Sequence, residues 1–173
     1  MGVTAKLHRA LLEPLGTSVV AHSKLDAKPM TLDLVLPLPP RLRVYMYSLV
    51  LGGSNRPNEF KAVLRVPGQA VGSYDSFDHA GDRLAILIAY RTDLNVFVIW
   101  DASLHPKFKN GGNIQVRDTT VYSAAALGNC YQERVLTTGA RELVIACQPK
   151  QLSQAICDRV LTTGGVGEGE WAD

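Results

Sequence analysis

Few residues in this chain could act on a substrate, and their spacing narrows what they could do. Glu59 and Lys61 form an E-x-K within "EFKAVLRV", and Asp33 lies upstream. Two carboxylates and a lysine so disposed could hold a magnesium ion and stabilise an attacked phosphate, as in a metal-dependent nuclease. The same alternation is what a half-exposed strand displays, and Asp33 stands in a proline-rich stretch. His8, His22, His79 and His105 are scattered and match no nuclease metal motif. Cys130, Cys147 and Cys157 form no C-x-x-C and have no evident histidine partner, so they read as small core residues. Neither a G-x-S-x-G nucleophile turn nor a G-x-x-x-x-G-K-[ST] phosphate loop occurs. The expectation is a chain that does no covalent chemistry and needs no cofactor of its own.

Residues suited to binding are better organised. "GGSNRPNEFK" places Arg56 in a turn at the mouth of a strand, beside Ser54 and Asn55 and before a proline that fixes the backbone. A loop so restrained loses little entropy on binding. "HPKFKNGG" offers Lys107 and Lys109 for phosphates, with His105 and Asn110 as adaptable hydrogen-bonding groups. Its glycines let a backbone approach closely, and Phe108 suits a place beneath the loop. "GSYDSFDHAG" reads as a third tip. Its acids make it a poor phosphate clamp, but Tyr74 and Ser76 could touch a sugar or base.

Charge follows the same division. Net charge is only +2, which by itself claims no nucleic-acid partner. From Arg41 to Arg65, however, there are five basic residues and one acid, Glu59, and from Ala102 to Arg117 every charge is basic. The acids gather at Asp75, Asp78, Asp82 and in the tail. Segregation of this kind points to a local anionic partner.

The elements that must hold these loops can be read from periodicity. Residues 4–13 have helical spacing (Leu7, Leu11, Leu12) and stop near Pro14. "LDLVLPLPPRL" is extended and proline-studded, an edge strand or covering segment. "RVYMYSLVL" reads as a strand. "EFKAVLRV" alternates, with Phe60, Ala62, Leu64 and Val66 on one side and Glu59, Lys61 and Arg65 on the other. "RLAILIAY" is an apolar run, and "NVFVIW" is so uniformly apolar that it must be central, with Trp100 in the core. "NIQV" and "TTVYSAAAL" form a strand or strand-to-helix passage. "RELVIAC" is a last strand, and "QPKQLSQAICDRVL" a helix with Leu152, Ile156 and Val160 on its inner side and Gly164 beyond its end. The hexapeptide "RVLTTG" occurs at 134–139 and 159–164, too short a repeat to carry meaning without flanking similarity.

Strands in succession flanked by helices predict an α+β domain around a mostly antiparallel, curved sheet with recognition loops at strand ends. At 173 residues, 46% hydrophobic, the chain suits one domain with a real core. Residues 1–164 are expected to form it, and the glycine-rich acidic end, 165–173, to be a linker toward a further domain. No apolar run approaches the roughly 18 residues that span a bilayer. The N-terminus lacks the layout of an export signal, and the cysteine pattern suits a reducing cytoplasm.

"RPNEFKAVLRVPGQ", "FDHAGDRLAILIAY", "LNVFVIWDASLHP" and "NIQV", in this order and spacing, resemble the DNA-sulfur-binding domains of type IV McrA-like restriction enzymes. In those proteins the domain reads phosphorothioate-modified DNA and an HNH nuclease follows it, so a divalent metal would belong to that following domain. The resemblance covers roughly residues 41 to 164. It implies that Arg56 lies by the modified phosphate and that Pro106 helps form a cup for sulfur. In those domains the proline follows a tyrosine, where this chain has His105. The small residue beyond it falls at Phe108 or Lys109 here, so the far wall of the cup differs.

The chemistry agrees with that implication. A non-bridging sulfur is larger, softer and a poorer hydrogen-bond acceptor than oxygen, while the linkage stays anionic. Its reader should set apolar, polarisable walls, such as a proline ring or an imidazole face, beside a cation. Arg56, His105 and Pro106 supply these, with Lys109 adjacent. Lysine–phosphate contacts would add salt-dependent affinity, and Asn55, Lys109, Asn110 or Arg117 could reach base edges in the major groove. The expected partner is double-stranded DNA, with room for a homodimer formed through the full-length protein. The alternatives are a reader of methylated bases and a magnesium nuclease at Asp33, Glu59 and Lys61.

Overall fold

A computed structural model describes residues 1–164; the expected linker, 165–173, lies outside the described residues. The chain opens with α1 (Val3–Leu15), which buries Leu7, Leu11 and Leu15 at helical spacing. It accommodates Pro14 in its last turn and ends at Gly16, whose φ of 50° breaks the helix. There follow β1 (Val19–His22), β2 (Met30–Leu34), β3 (Arg41–Ser48), β4 (Val50–Leu51), β5 (Glu59–Val63) and β6 (Tyr74–Asp75). Then come β7 (Leu84–Arg91), β8 (Val96–Trp100), β9 (Phe108–Lys109), β10 (Asn113–Arg117) and α2 (Asp118–Leu127). The series closes with β11 (Asn129–Val135), β12 (Arg141–Cys147) and α3 (Leu152–Leu161).

Seven strands form the main sheet in the order β1-β2-β3-β7-β8-β12-β11, three form a small sheet, β10-β5-β4, and β6 pairs with β9. The fold is α+β. Neighbours in the main sheet are antiparallel except β3 and β7, which run parallel from Leu42↔Leu84 to Ser48↔Tyr90. A parallel pair cannot be closed by a tight turn and needs a long crossover. The segment from Leu49 to Arg83 is that crossover. It leaves the main sheet, builds β4 and β5, and returns through β6. The Arg56 turn and the Tyr74 tip both ride on it.

The central strands of the main sheet are buried on both faces, which explains the uniformly apolar β8. Alternation sends Ile86, Ile88, Phe97 and Ile99 to one face, where α1 and α3 supply Leu7, Leu11, Leu152 and Ile156. It sends Leu87, Ala89, Val98 and Trp100 to the other, against Phe60, Ala62, Ile114 and Val116 of the small sheet and Val121 and Ala124 of α2. Trp100 is fully buried, and its Nε1 donates to the Gln115 carbonyl at 3.0 Å, so the indole N–H is satisfied.

Three local expectations change. The strand in "LDLVLPLPPRL" ends at Leu34, before the prolines, and β2 is not an edge because β1 pairs outside it. In α3, Leu152 and Ile156 are buried, but Arg159 takes the inward place expected of Val160. The segment "NCYQERV", read as no element, is edge strand β11, paired with β12 from Asn129↔Cys147 to Val135↔Arg141. As expected of a repeat without meaning, the two "RVLTTG" copies have unlike structures, a strand end running into a turn and a helix end. All three cysteines are free, and burial pushes the Cys147 thiol up to about 12, which leaves it inert. Among the described residues no helix is long and apolar enough to cross a membrane.

Candidate nucleic-acid interface

The loop after β8 is built from its own sequence. Asp101 caps the tight turn Ala102–Leu104: its Oδ1 accepts from the Ser103 N–H at 3.0 Å and the Ser103 hydroxyl at 2.6 Å. The chain then delivers His105, Pro106 and Lys107 before β9 pairs Lys109 with Tyr74 and Phe108 with Asp75. Phe108 is buried beneath the loop and stacks on Phe77 at 4.5 Å, whose ring meets Tyr45 edge-on at 4.9 Å. The tip that carries Tyr74 thus supplies the floor of the cationic loop. Two of its acids turn away from the loop, Asp78 toward Arg43 at 3.3 Å and Asp82 toward Arg41 at 3.5 Å.

An open groove of about 1050 Å³ runs along the small sheet and this loop. It brings together Arg56, His105, Pro106, Lys107, Lys109 and Arg117, which are far apart in the chain. Lys107, Lys109 and Arg117 have no carboxylate within ion-pair distance among the described residues. Lys107 Nζ sits 4.5 Å from the centroid of the exposed Tyr74 ring, a cation–π contact. Arg56 is different. Its guanidinium reaches both oxygens of Glu59, at 3.1 and 3.5 Å, while its side chain stays 56% exposed. Any anion that met that guanidinium would have to share it with Glu59 or draw it away.

His105 is held from behind. Its Nε2 lies 2.7 Å from Oε2 of Glu142, a carboxylate with no exposed surface. Glu142 also accepts from Arg134 Nε at 2.6 Å and from the Asp101 N–H at 3.1 Å. Burial pushes the Glu142 carboxyl up, but His105 and Arg134 outweigh it and hold the group below its ordinary value. A second buried carboxylate stands alongside: Asp101 Oδ2 meets Arg159 at 3.5 Å and the Gly164 N–H at 2.8 Å. Glu142 therefore sets both the imidazole and Arg134 in the groove.

The other expected residues fall elsewhere. Ser54 and Asn55 are exposed in the Arg56 turn, outside the groove lining, and Ser76 is exposed with its N–H taken by Asp75 at 2.7 Å. Asn110 is corrected outright. It is buried, its Oδ1 accepts from Val66 N–H, and its Nδ2 donates to the carbonyls of Gln69 and Ala70, which leaves nothing for a base edge. The nuclease trio does not assemble. Asp33 lies on the main sheet, 2.8 Å from Arg83, Glu59 pairs with Arg56, and the groove that holds Glu59 includes neither Asp33 nor Lys61. Among the described residues no group of three or more His, Cys, Asp or Glu could hold a metal ion.

Arg134, Gln132 and the Thr137–Thr138 turn also line the groove, and sequence reasoning missed them together with Glu142. A signal existed for one. In "RELVIAC", Glu142 shares a face with Val144 and Ala146, and a carboxylate on a buried face requires partners. Nothing local shows that His105 and Arg134 would be those partners.

No curated protein and no solved structure matches the chain. Residues 40–156, which run from the start of β3 into α3 and include every groove residue named above, match the family described as methylase-associated X1. That match covers more than half of the chain, and the chain belongs to the methylase-associated X1 family.

Proposed function

We propose that this chain is a non-catalytic reader of modified double-stranded DNA, serving a restriction-modification system, and that the mark it reads is a phosphorothioate in the backbone. The family description supports the setting, since it associates the domain with methylases. One observation carries the reading. A single open groove joins an arginine, a proline beside an imidazole, and three cations without acidic partners. The cations suit the phosphates of a duplex. Pro106 and the His105 ring offer soft, weakly hydrogen-bonding walls beside Arg56, which suits sulfur over oxygen. Each carboxylate of the nuclease alternative is already committed to an arginine, which disfavours that reading.

The second reading, recognition of a methylated base, draws on the same family description. It would need an aromatic cage for the flipped base. Tyr74 is the exposed aromatic at the loop, and Phe108 is buried beneath it. Gel shifts with otherwise identical plain, methylated and phosphorothioate duplexes separate the readings. The wild type should retain the phosphorothioate duplex preferentially, and Arg56→Ala should abolish that preference. Equal retention of plain and phosphorothioate duplexes at moderate salt would overturn the proposal, and preference for the methylated duplex would establish the second reading.

A further inference from the structure

Beyond Asn110 lies a second cavity, about 260 Å³, lined by Lys28, Arg65, Pro67, Gln69 and Val71 among others. No acid lines it. Lys28 is half-buried, with Nζ 5.0 Å from the centroid of the Tyr47 ring, and Tyr47 donates its hydroxyl to the Arg65 carbonyl at 3.0 Å. Neither Lys28 nor Arg65 makes an ion pair among the described residues. Burial pulls the Lys28 ammonium down from its ordinary value, and the like charge of Arg65 pulls it further. Two cations without a carboxylate partner beside one small cavity repel each other, and an anion between them relieves that repulsion.

The cavity is tied rigidly to the main groove. The Asn110 N–H donates to the Ser73 carbonyl at 2.7 Å, Gly72 N–H to Asn110 at 2.8 Å, and Leu64 and Gly111–Gly112 exchange bonds of 2.6 and 2.8 Å. These bonds join the segment bearing Arg65 to the segment bearing Lys107 and Lys109, so the backbones that carry these cations are held together.

We propose that Lys28 and Arg65 form a second phosphate-binding site, which takes a phosphodiester of the same duplex that occupies the main groove. The proposal rests on the DNA-reading function above and extends the footprint beyond the modified position. Such a contact adds affinity without adding preference for the mark.

The test is the salt dependence of duplex binding by the wild type, by Arg65→Gln and by Lys28→Gln combined with Arg65→Gln. One phosphate contact contributes about 0.9 to the slope of log K against log salt. The double variant should lose about that much slope and bind plain and modified duplexes more weakly by the same factor. Thermal melting checks that the variants fold; Arg65 is exposed, so Arg65→Gln alone decides the matter if the double variant does not. An unchanged slope with duplex binding intact overturns this site and leaves the DNA reading standing. Inorganic phosphate, titrated while the amides of residues 65–71 are followed by NMR, should shift those amides in the wild type and not in Arg65→Gln. A phosphate response without a slope change means an adventitious ion only, which also overturns the proposal. If the wild type binds no duplex at all, the DNA reading falls and this extension falls with it.

Discussion

The two faces of the main sheet are built from the same strands and do different work. On the helix-covered face, the residues packed under α1 and α3 are mostly aliphatic, with Phe97 and Cys147 beside them, and the polar exceptions are His8 of α1 and the Arg159–Asp101 pair at the α3 end. On the small-sheet face, the apolar layer of Trp100, Val98 and Val144 gives way at its margin to Glu142, His105 and Arg134. Most of the first face needs only apolar surface removed from water, which is non-directional and tolerant. The second holds charged groups in place, and a buried carboxylate is tolerable only while its partners remain. Stability resides in both faces, but the second carries the charged groups that reach the groove.

Mutation at matched depth should expose that difference. Glu142→Ala strands Arg134 and His105 beside a lost carboxylate and should cost about 3–5 kcal/mol. Ile88→Ala on the helix face should cost about 2–5 kcal/mol, read from the same chemical denaturation curves. Measured where both variants remain folded, Ile88→Ala should bind modified duplex as the wild type does, while Glu142→Ala should bind it more weakly. Equal binding by the two would show that the buried acid only supports the fold.

Acidification sharpens the comparison with a smaller effect. Folding holds the Glu142 carboxyl below its ordinary value of 4.5, so its contribution is complete above that pH and is lost as pH falls through the lowered folded value. Denaturation midpoints of the wild type should therefore drop below about pH 4.5 more steeply than those of Glu142→Gln, in which that group no longer titrates. The smallest effect belongs to the solvent-facing edge of the groove. Lys107→Ala should leave stability within about 0.5 kcal/mol, weaken plain and modified duplexes alike, and reduce the salt slope by about 0.9.

Much of this organisation was legible in local pattern. β5 and β8 follow from alternation and from an unbroken apolar run, and Phe108 under its loop follows from one aromatic among polar neighbours. The departures share one cause. Asn110 looked like a base-reading amide because turns expose amides, yet its partners lie across the chain at Val66, Gln69 and Ala70. β11 was missed because an edge strand needs only its β12 partner, not an apolar sequence. Arg159 replaced Val160 on the inner side of α3 because Asp101, distant in sequence, waits there.

Read alone, the sequence determined the α+β composition, the central place of β8 and the cationic character of the 105–117 segment, since each depends on side-chain periodicity and charge within a few residues. Only the tertiary structure decided that Arg56 and His105–Pro106 face one groove, that Glu142 sets the imidazole, and that Lys28 and Arg65 share a cavity. Those depend on a parallel crossover and on contacts across the chain, which local pattern does not encode.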